Sequence, residues 1–362
     1  MDTKYTQRLK KIEAVLETWI PHMPDLPWQK KVFGRFATSP SQEAAVNPEL
    51  LASLTLPGWD LVNRGGKRWR PLLMILAAES INGEQGAEAA LPLVPLVEFP
   101  HNASLIHDDI EDNSDERRGK PAIHLIYGAD TAINAGAFLY FLPLACLSAW
   151  APDSPSLKDR VWTIWGNHMR ALHLGQAMDI HWHRDFHSLP GLDEYQQMCR
   201  LKTGCLARLA AVLGVFCAAH SGEDIENLAE IFGKAAEQLG VGFQILDDVK
   251  NLGTGIPGKK RGDNIVEGKK SLPVLLYLHR YPEKRDFAAR CFSAARSGGV
   301  SVPEVEEMIH ALEQAGVLDE AREKGLAYIQ ESRMVFSAPE AAGFSLQKEG
   351  RELLAGLVDL LG

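Results

Sequence analysis

Apolar residues recur at helical spacing through most of this chain, in segments such as LARLAAVLGVFCAAH and AAEQLGVGFQILDDV, and no convincing run alternates apolar with polar residues. A chain patterned this way shields its apolar stripes by packing helix against helix, so an all-α fold is expected. Turn residues gather at PSQEAAVNPE, at the double glycine beginning at position 65, and at APDSPS, HSLPGLD, GTGIPGKKRGDN and RSGGVSVPE. None of these breaks reads as a linker between independent domains, and no repeat of solenoid period is present. The expectation is one helical domain over residues 1–362, with a C-terminal helical layer from about 283 to 362.

Residues 131 to 152, TAINAGAFLYFLPLACLSAWAP, carry no formal charge and are nearly long enough to span a bilayer. Asn134, Gly136, Pro143 and Ser148 within them favour a buried core helix, so no transmembrane segment is expected. The start of the chain, MDTKYTQRLKKIEAVLETWI, spreads its charges along its length and does not read as a signal peptide. Five scattered cysteines without a CxxC pair argue against a disulfide scaffold or a thiolate zinc site, and fit a reducing compartment such as the cytoplasm. A net charge of −9 argues against a nucleic-acid partner. An anionic ligand would therefore have to be held by local cations or by bound metal.

Two acidic clusters carry the chemistry. In HNASLIHDDIEDNSDERRG, Asp108 and Asp112 lie four residues apart and project from one helix face, with Asp109 beside them. Like charges at that spacing repel, and a hard divalent cation is the natural compensation, since magnesium takes oxygen ligands from one or two carboxylates, water and substrate phosphate. A solvated acidic face is the bland alternative; the apolar PLVPLVEF ahead of the cluster and Arg117 and Arg118 behind it weigh against that. In GFQILDDVKN, Gln244, Asp247, Asp248 and Asn251 form one polar stripe on a helix whose Phe243, Ile245 and Leu246 are apolar. Buried polar groups need partners, and two acid-rich helices suggest a shared metal and phosphate site. RGGKRWRP sets Lys67, Arg68 and Arg70 beside two glycines that allow close backbone approach. Lys202, Lys259 and Lys269 add point charges suited to phosphate oxygens. HWHRDFH reads as a solvated or rim cluster, because nothing near it completes a zinc site.

GGKRWRP, HNASLIHDDIEDNSDERRG, LGQAMD, KTG, GFQILDDVKN and EGKKSLP occur in an order and at spacings that resemble the trans-isoprenyl diphosphate synthases, the polyprenyl synthetase family. The likeness is close over about residues 60 to 280. It implies a bundle of long helices around a central active-site cavity. It also implies that Asp108, Asp109 and Asp112, with Asp247 and Asp248, hold magnesium, three ions per active site, on an allylic prenyl diphosphate. Arg117, Lys202 and Lys259 would clamp that diphosphate, and Thr203 and Gln244 would line its pocket. Lys67, Arg70, His101 and Arg118 match the positions for isopentenyl diphosphate. On the resemblance alone the chain is expected to be a homodimer.

Two places depart from the family pattern. Asn251 stands where many members have an aspartate, and Asn264 does so in GKKRGDNIVEGK, with Asp263 next to it. Pro95 and Pro100 interrupt what should be one long helix, requiring a kink or a late start. The implied reaction ionises the allylic diphosphate, lets the isopentenyl double bond attack the cation, and ends in proton loss. Chain length would be set by Ala103 and Ser104, small residues that leave the pocket floor open and imply a product of geranylgeranyl length or longer. Phe138, Phe141 or Leu142 could form a deeper floor. A class I terpene cyclase is a competing reading, but its second motif needs hydroxyl and glutamate ligands where this chain has Gly255. A non-catalytic partner subunit is another, and the intact acidic clusters oppose it.

Overall fold

Helices form where the periodicity places them, and ordinary caps set their ends. Asn47 accepts from the Glu49 amide at 2.9 Å to open Pro48–Asn63, and Asp25 accepts from the Trp28 amide at 2.8 Å to open Leu26–Phe33. Proline follows the cap directly in the first of these and one residue later in the second, where its missing N–H leaves no helical bond unmade. The computed structural model describes residues 3–37, 46–151, 155–219, 224–255 and 260–362. Among them the expected all-α fold is found, and the strands present are two residues long each.

The chain is organised as two compact units. The first comprises Met1–Gly166, Leu209–Ala229 and Ala342–Leu353, and the second Asn167–Arg208, Glu230–Ala341 and Leu354–Gly362. In the first, helix Pro95–Glu111 packs along helix Ala129–Ala149. In the second, Val241, Ile245 and Val249 share a core with Leu275, Phe292, Ile309, Leu312 and Ala321, so the helices after residue 283 supply central packing. Each such buried Val, Leu, Ile or Phe side chain contributes about 1.5–3 kcal/mol of transfer free energy.

Helix Ala129–Ala149 is the expected core helix on one face only. It buries Ala132, Ala135, Leu139 and Leu142 but leaves Ile133 51% and Phe141 66% exposed. This helix and the run Leu192–Ala218 are each long and apolar enough to cross a membrane by length and composition, with 44% and 78% of their apolar windows buried in the fold. Phe141 points outward and so cannot floor an internal pocket; Phe138, stacked on Phe33 at 5.8 Å, and the buried Leu142 can.

Both prolines of the first acidic helix are accommodated without a late start. Pro95 is its first residue, and Pro100 lies inside it. Pro100 has no N–H to offer the Leu96 carbonyl one turn earlier. That carbonyl instead accepts from the Trp165 indole N–H at 3.0 Å, in a buried hydrogen bond. Trp165→Phe should therefore cost about 1–3 kcal/mol, the usual penalty for an orphaned buried acceptor, read as a lower denaturation midpoint. In a Pro100→Ala background the new backbone N–H can serve the same carbonyl, so the cost should shrink. An equal cost in both backgrounds would refute this pairing.

Candidate active site

In the first unit the helix ends at Glu111, and the Asp112 amide bonds the Asp108 carbonyl at 2.9 Å as its C-cap. The chain then reverses through a two-residue turn, Arg118–Gly119, with φ of 54° and 75° and Arg117 paired to Lys120. Positive φ at both central residues is the geometry that matches strand twist in a tight hairpin, and a non-glycine residue there is strained. The turn sends Arg117 back onto the helix. Its Nε donates to both oxygens of Asp109, at 2.9 and 3.1 Å, and its Nη2 donates to Oδ1. The Asp109 side chain is wholly buried, whereas those of Asp108 and Asp112 reach partial exposure.

Beside this fork lies a group of cations. Arg118 donates to the Leu61 carbonyl at 2.8 Å and to Asn102 Oδ1 at 3.1 Å, both neutral acceptors. Burial, with Arg68, Arg117 and Arg64 nearby and only Glu98 opposing, lowers its guanidinium to about 10. Gly66, with φ of 144°, lies directly against it: a Cβ there would stand 3.1 Å from Arg118 Nη2. His101 has its Nε2 3.4 Å from Arg70 Nη1, and burial together with Arg70 and Arg118 holds the imidazole far below its ordinary value, hence neutral. Lys67 is exposed and Arg70 is buried. Arg68 is committed to carboxylates instead: it pairs with the buried Glu98 at 2.7 Å and the half-exposed Glu13 at 2.8 Å, a structural role that separates it from Lys67 and Arg70.

In the second unit the KTG motif falls in a π-helical turn, Arg200–Gly204, a departure from regular helix that often marks a functional site. Lys202 pairs with the buried Asp179 of LGQAMD at 2.5 Å. Burial pushes the Asp179 carboxyl up, but Lys202 and Lys269 prevail and hold it below its ordinary value. Thr203 donates to Gln244 Oε1 at 2.8 Å, and Gln244 donates to Asp248 Oδ1 at 3.2 Å. Asn264 also donates to that oxygen, at 3.0 Å, and the Tyr195 hydroxyl reaches the other at 3.4 Å. Asp248 is thus buried among neutral donors, with Asp247 partly exposed beside it. Burial and then Asp247 raise its carboxyl to about 7. Asn251 turns to the following loop, donating to the Lys260 carbonyl at 3.1 Å and accepting from the Asn264 amide at 3.1 Å.

The structure therefore joins Asp109 to Arg117, Arg70 to His101, and Thr203 through Gln244 to Asp248. Ala103 is buried, and Ser104 satisfies its hydroxyl on the His101 carbonyl at 2.8 Å. Lys259 lies outside the described residues. In HWHRDFH, His181, Arg184, Asp185 and His187 are exposed while Trp182 and His183 are buried, so the segment is a rim cluster, one of the two alternatives expected of it. Asp179, Tyr195 and Asn102 had no role assigned from sequence; a lone tyrosine seven residues before a lysine carries no local signal. Among the described residues no three histidine, cysteine or carboxylate groups converge into a complete metal cage.

The profile of the polyprenyl synthetase family matches residues 52–311. A geranylfarnesyl diphosphate synthase from Aeropyrum pernix is 30% identical over 88% of this chain and 95% of its own length. A geranylgeranyl diphosphate synthase from Methanosarcina mazei is 32% identical over 75% of this chain and 80% of its own. The crystal structure of a geranylgeranyl pyrophosphate synthetase from Pyrococcus horikoshii superposes with a TM-score of 0.77 at 26% identity, over 97% of this chain and 95% of the other.

The raised carboxyl of Asp248 has a consequence for stability. The unfolded chain loses this proton near 3.8 and the metal-free fold near 7, so between those values the folded state holds more protons. The contribution of this group is intact below the lower value and is lost as pH rises through the upper one. In EDTA, the denaturation midpoint should fall from pH 5 to pH 8 more steeply for the wild type than for Asp248→Asn. Parallel profiles would contradict this ionisation.

Proposed function

Because the chain belongs to the polyprenyl synthetase family, we propose that it condenses isopentenyl diphosphate with an allylic prenyl diphosphate to a trans-polyprenyl diphosphate of C20 or longer. One observation carries the diphosphate reading: Arg118 is held strained and partly buried on neutral acceptors, beside Arg70 and a neutral His101, so its charge is left for an incoming anion. Lys67, Arg70, His101 and Arg118 bind isopentenyl diphosphate. Arg117, Lys202, Lys259, Thr203 and Gln244 bind the allylic diphosphate.

Asp108 and Asp112 of the first cluster, with Asp247 and Asp248 of the second, would hold magnesium. The wholly buried Asp109 aims Arg117 through their two-point contact, a part distinct from ligation. Bound magnesium neutralises charge on the departing diphosphate. The fixed cations need no reorganisation as that charge develops, which is why such groups dominate catalysis of this kind. Apolar walls keep water from the allylic cation.

The product length rests on Ala103 and Ser104, whose small side chains leave room below the first cluster. The names of the relatives, geranylgeranyl and geranylfarnesyl synthases, agree with it. In the first unit, Leu125, Ile126, Ile133, Phe141 and Trp162 are between 46% and 66% exposed, which suits pairing with a second copy into a homodimer. Five free cysteines suit the cytoplasm.

The test is the purified chain with magnesium, isopentenyl diphosphate and allylic primers of several lengths, the products separated by chromatography. Prenyl diphosphates of C20 or longer are expected. Hydrocarbons would mean a cyclase, and no product would mean a non-catalytic subunit. Asp108→Asn should lower turnover a hundredfold or more, about 3 kcal/mol. Ser104→Phe should shorten the product, and an unchanged chromatogram would refute the pocket assignment. Sedimentation velocity should give a dimer, and Phe141→Asp a monomer.

A further inference from the structure

A cleft of about 350 Å³ opens within the second unit and shares only Tyr195 with the groups above. Its origin is a close helix crossing. The second acidic helix meets helix Val317–Ser337 backbone to backbone, so that a Cβ on Gly242 would stand 2.7 Å from the Gly325 carbonyl oxygen. Past that contact the two helices leave a gap, which Leu192 and Leu272 line from neighbouring elements and Ala327 and Tyr328 line from the outer helix. Its inner wall is Tyr195 and Ile245, each 1% exposed. The volume is at the lower end for small-molecule sites, and the lining is apolar with a few polar groups, as such sites are.

The polar groups differ in how firmly they are held. Glu331 accepts from Gln238 Nε2 at 3.0 Å. Lys324 has only a loose helical pairing, 3.9 Å from Glu320, and its side chain is 49% exposed. Seven residues, roughly 10 Å of helix, separate Lys324 from Glu331, so an anion at one end of the cleft is kept from the carboxylate at the other. We propose that this cleft binds a small amphiphile, an apolar tail against Leu192, Leu272 and Ala327 with one anionic head on Lys324.

Occupancy also bears on the reaction, a consequence that rests on the function proposed above. The ring of Tyr195 separates the cleft from the second acidic cluster, and its hydroxyl reaches Asp248 at 3.4 Å. A tail packed on that ring fixes the hydroxyl and with it the carboxylate, making Tyr195 a positioning residue between the two sites.

Titration calorimetry on the full chain with decanoate, decanol and decyltrimethylammonium tests the site without reference to catalysis. Decanoate should bind saturably and at least tenfold more tightly than the other two, and Lys324→Glu should remove that preference. Ala327→Trp fills the cleft; it should abolish binding while leaving thermal midpoint and basal turnover unchanged. Absence of saturable decanoate binding, or binding that survives Ala327→Trp, overturns the site, and equal affinity for decanol overturns the role of Lys324. Saturating decanoate should change turnover severalfold in the wild type, but not in Ala327→Trp or in Tyr195→Phe, which still binds it. Turnover unmoved by a bound ligand overturns the coupling alone, whereas a chain that makes no prenyl product yet binds decanoate refutes the function and leaves the site standing.

Discussion

Buried charge has to be answered, and the pairing of Asp109 with Arg117 shows how this chain does it. A carboxylate with no exposed surface is tolerated only because a guanidinium reaches both of its oxygens. The same rule is met by Arg68 with Glu98 and Glu13, and by Asp179 with Lys202. Where it is not met, ionisation shifts instead. Arg118, on neutral acceptors, falls to about 10, and Asp248, among neutral donors, rises to about 7. One is a cation wanting an anion and the other an acid wanting a cation. On the function proposed, a diphosphate would answer the first and magnesium the second.

The hairpin turn fits the same logic. Holding Arg118 at positive φ costs on the order of 1–3 kcal/mol, and a cheaper turn would have placed glycine there. The strain is offset by what the turn achieves: adjacent residues, Arg117 and Arg118, are sent to different partners, one to the acidic helix and the other to Leu61 and Asn102. Two neighbouring arginines on an ordinary extended strand would alternate faces in a fixed way and could not be aimed independently.

How much of this was legible in the sequence depends on whether the cause is local. Helical periodicity and the acidic spacings are local, and the all-α fold and the two polar clusters follow from them. Arg68 and Arg70 look alike in RGGKRWRP and both are buried; which one is taken up by carboxylates is decided by Glu13 and Glu98, far away in the chain. Pro100 announces a missing donor, but the replacement is an indole 69 residues beyond Leu96, whose carbonyl it serves. Phe141 and Leu142 are adjacent apolar residues of one helix, and only the packing on Pro95–Glu111 determines which points outward. Tyr195 and Asp179 gain their importance from lysine and aspartate partners that no spacing rule connects to them.

The two asparagines that set this chain apart from the family pattern are physically linked. Asn251 both donates to the Lys260 carbonyl and accepts from the Asn264 amide, and an ionised aspartate could do only the second. Asn264 in turn donates to Asp248, where an aspartate would place a second carboxylate about 3 Å from one already buried. Neither exchange is a simple loss of a ligand. Together they remove two negative charges from the neighbourhood of Asp248 and supply two amide donors, one closing the loop and one steadying the acid. If the second cluster holds magnesium as proposed, it has fewer fixed charges of its own and would depend more on substrate phosphate to complete the shell, so metal and diphosphate binding there should be strongly coupled.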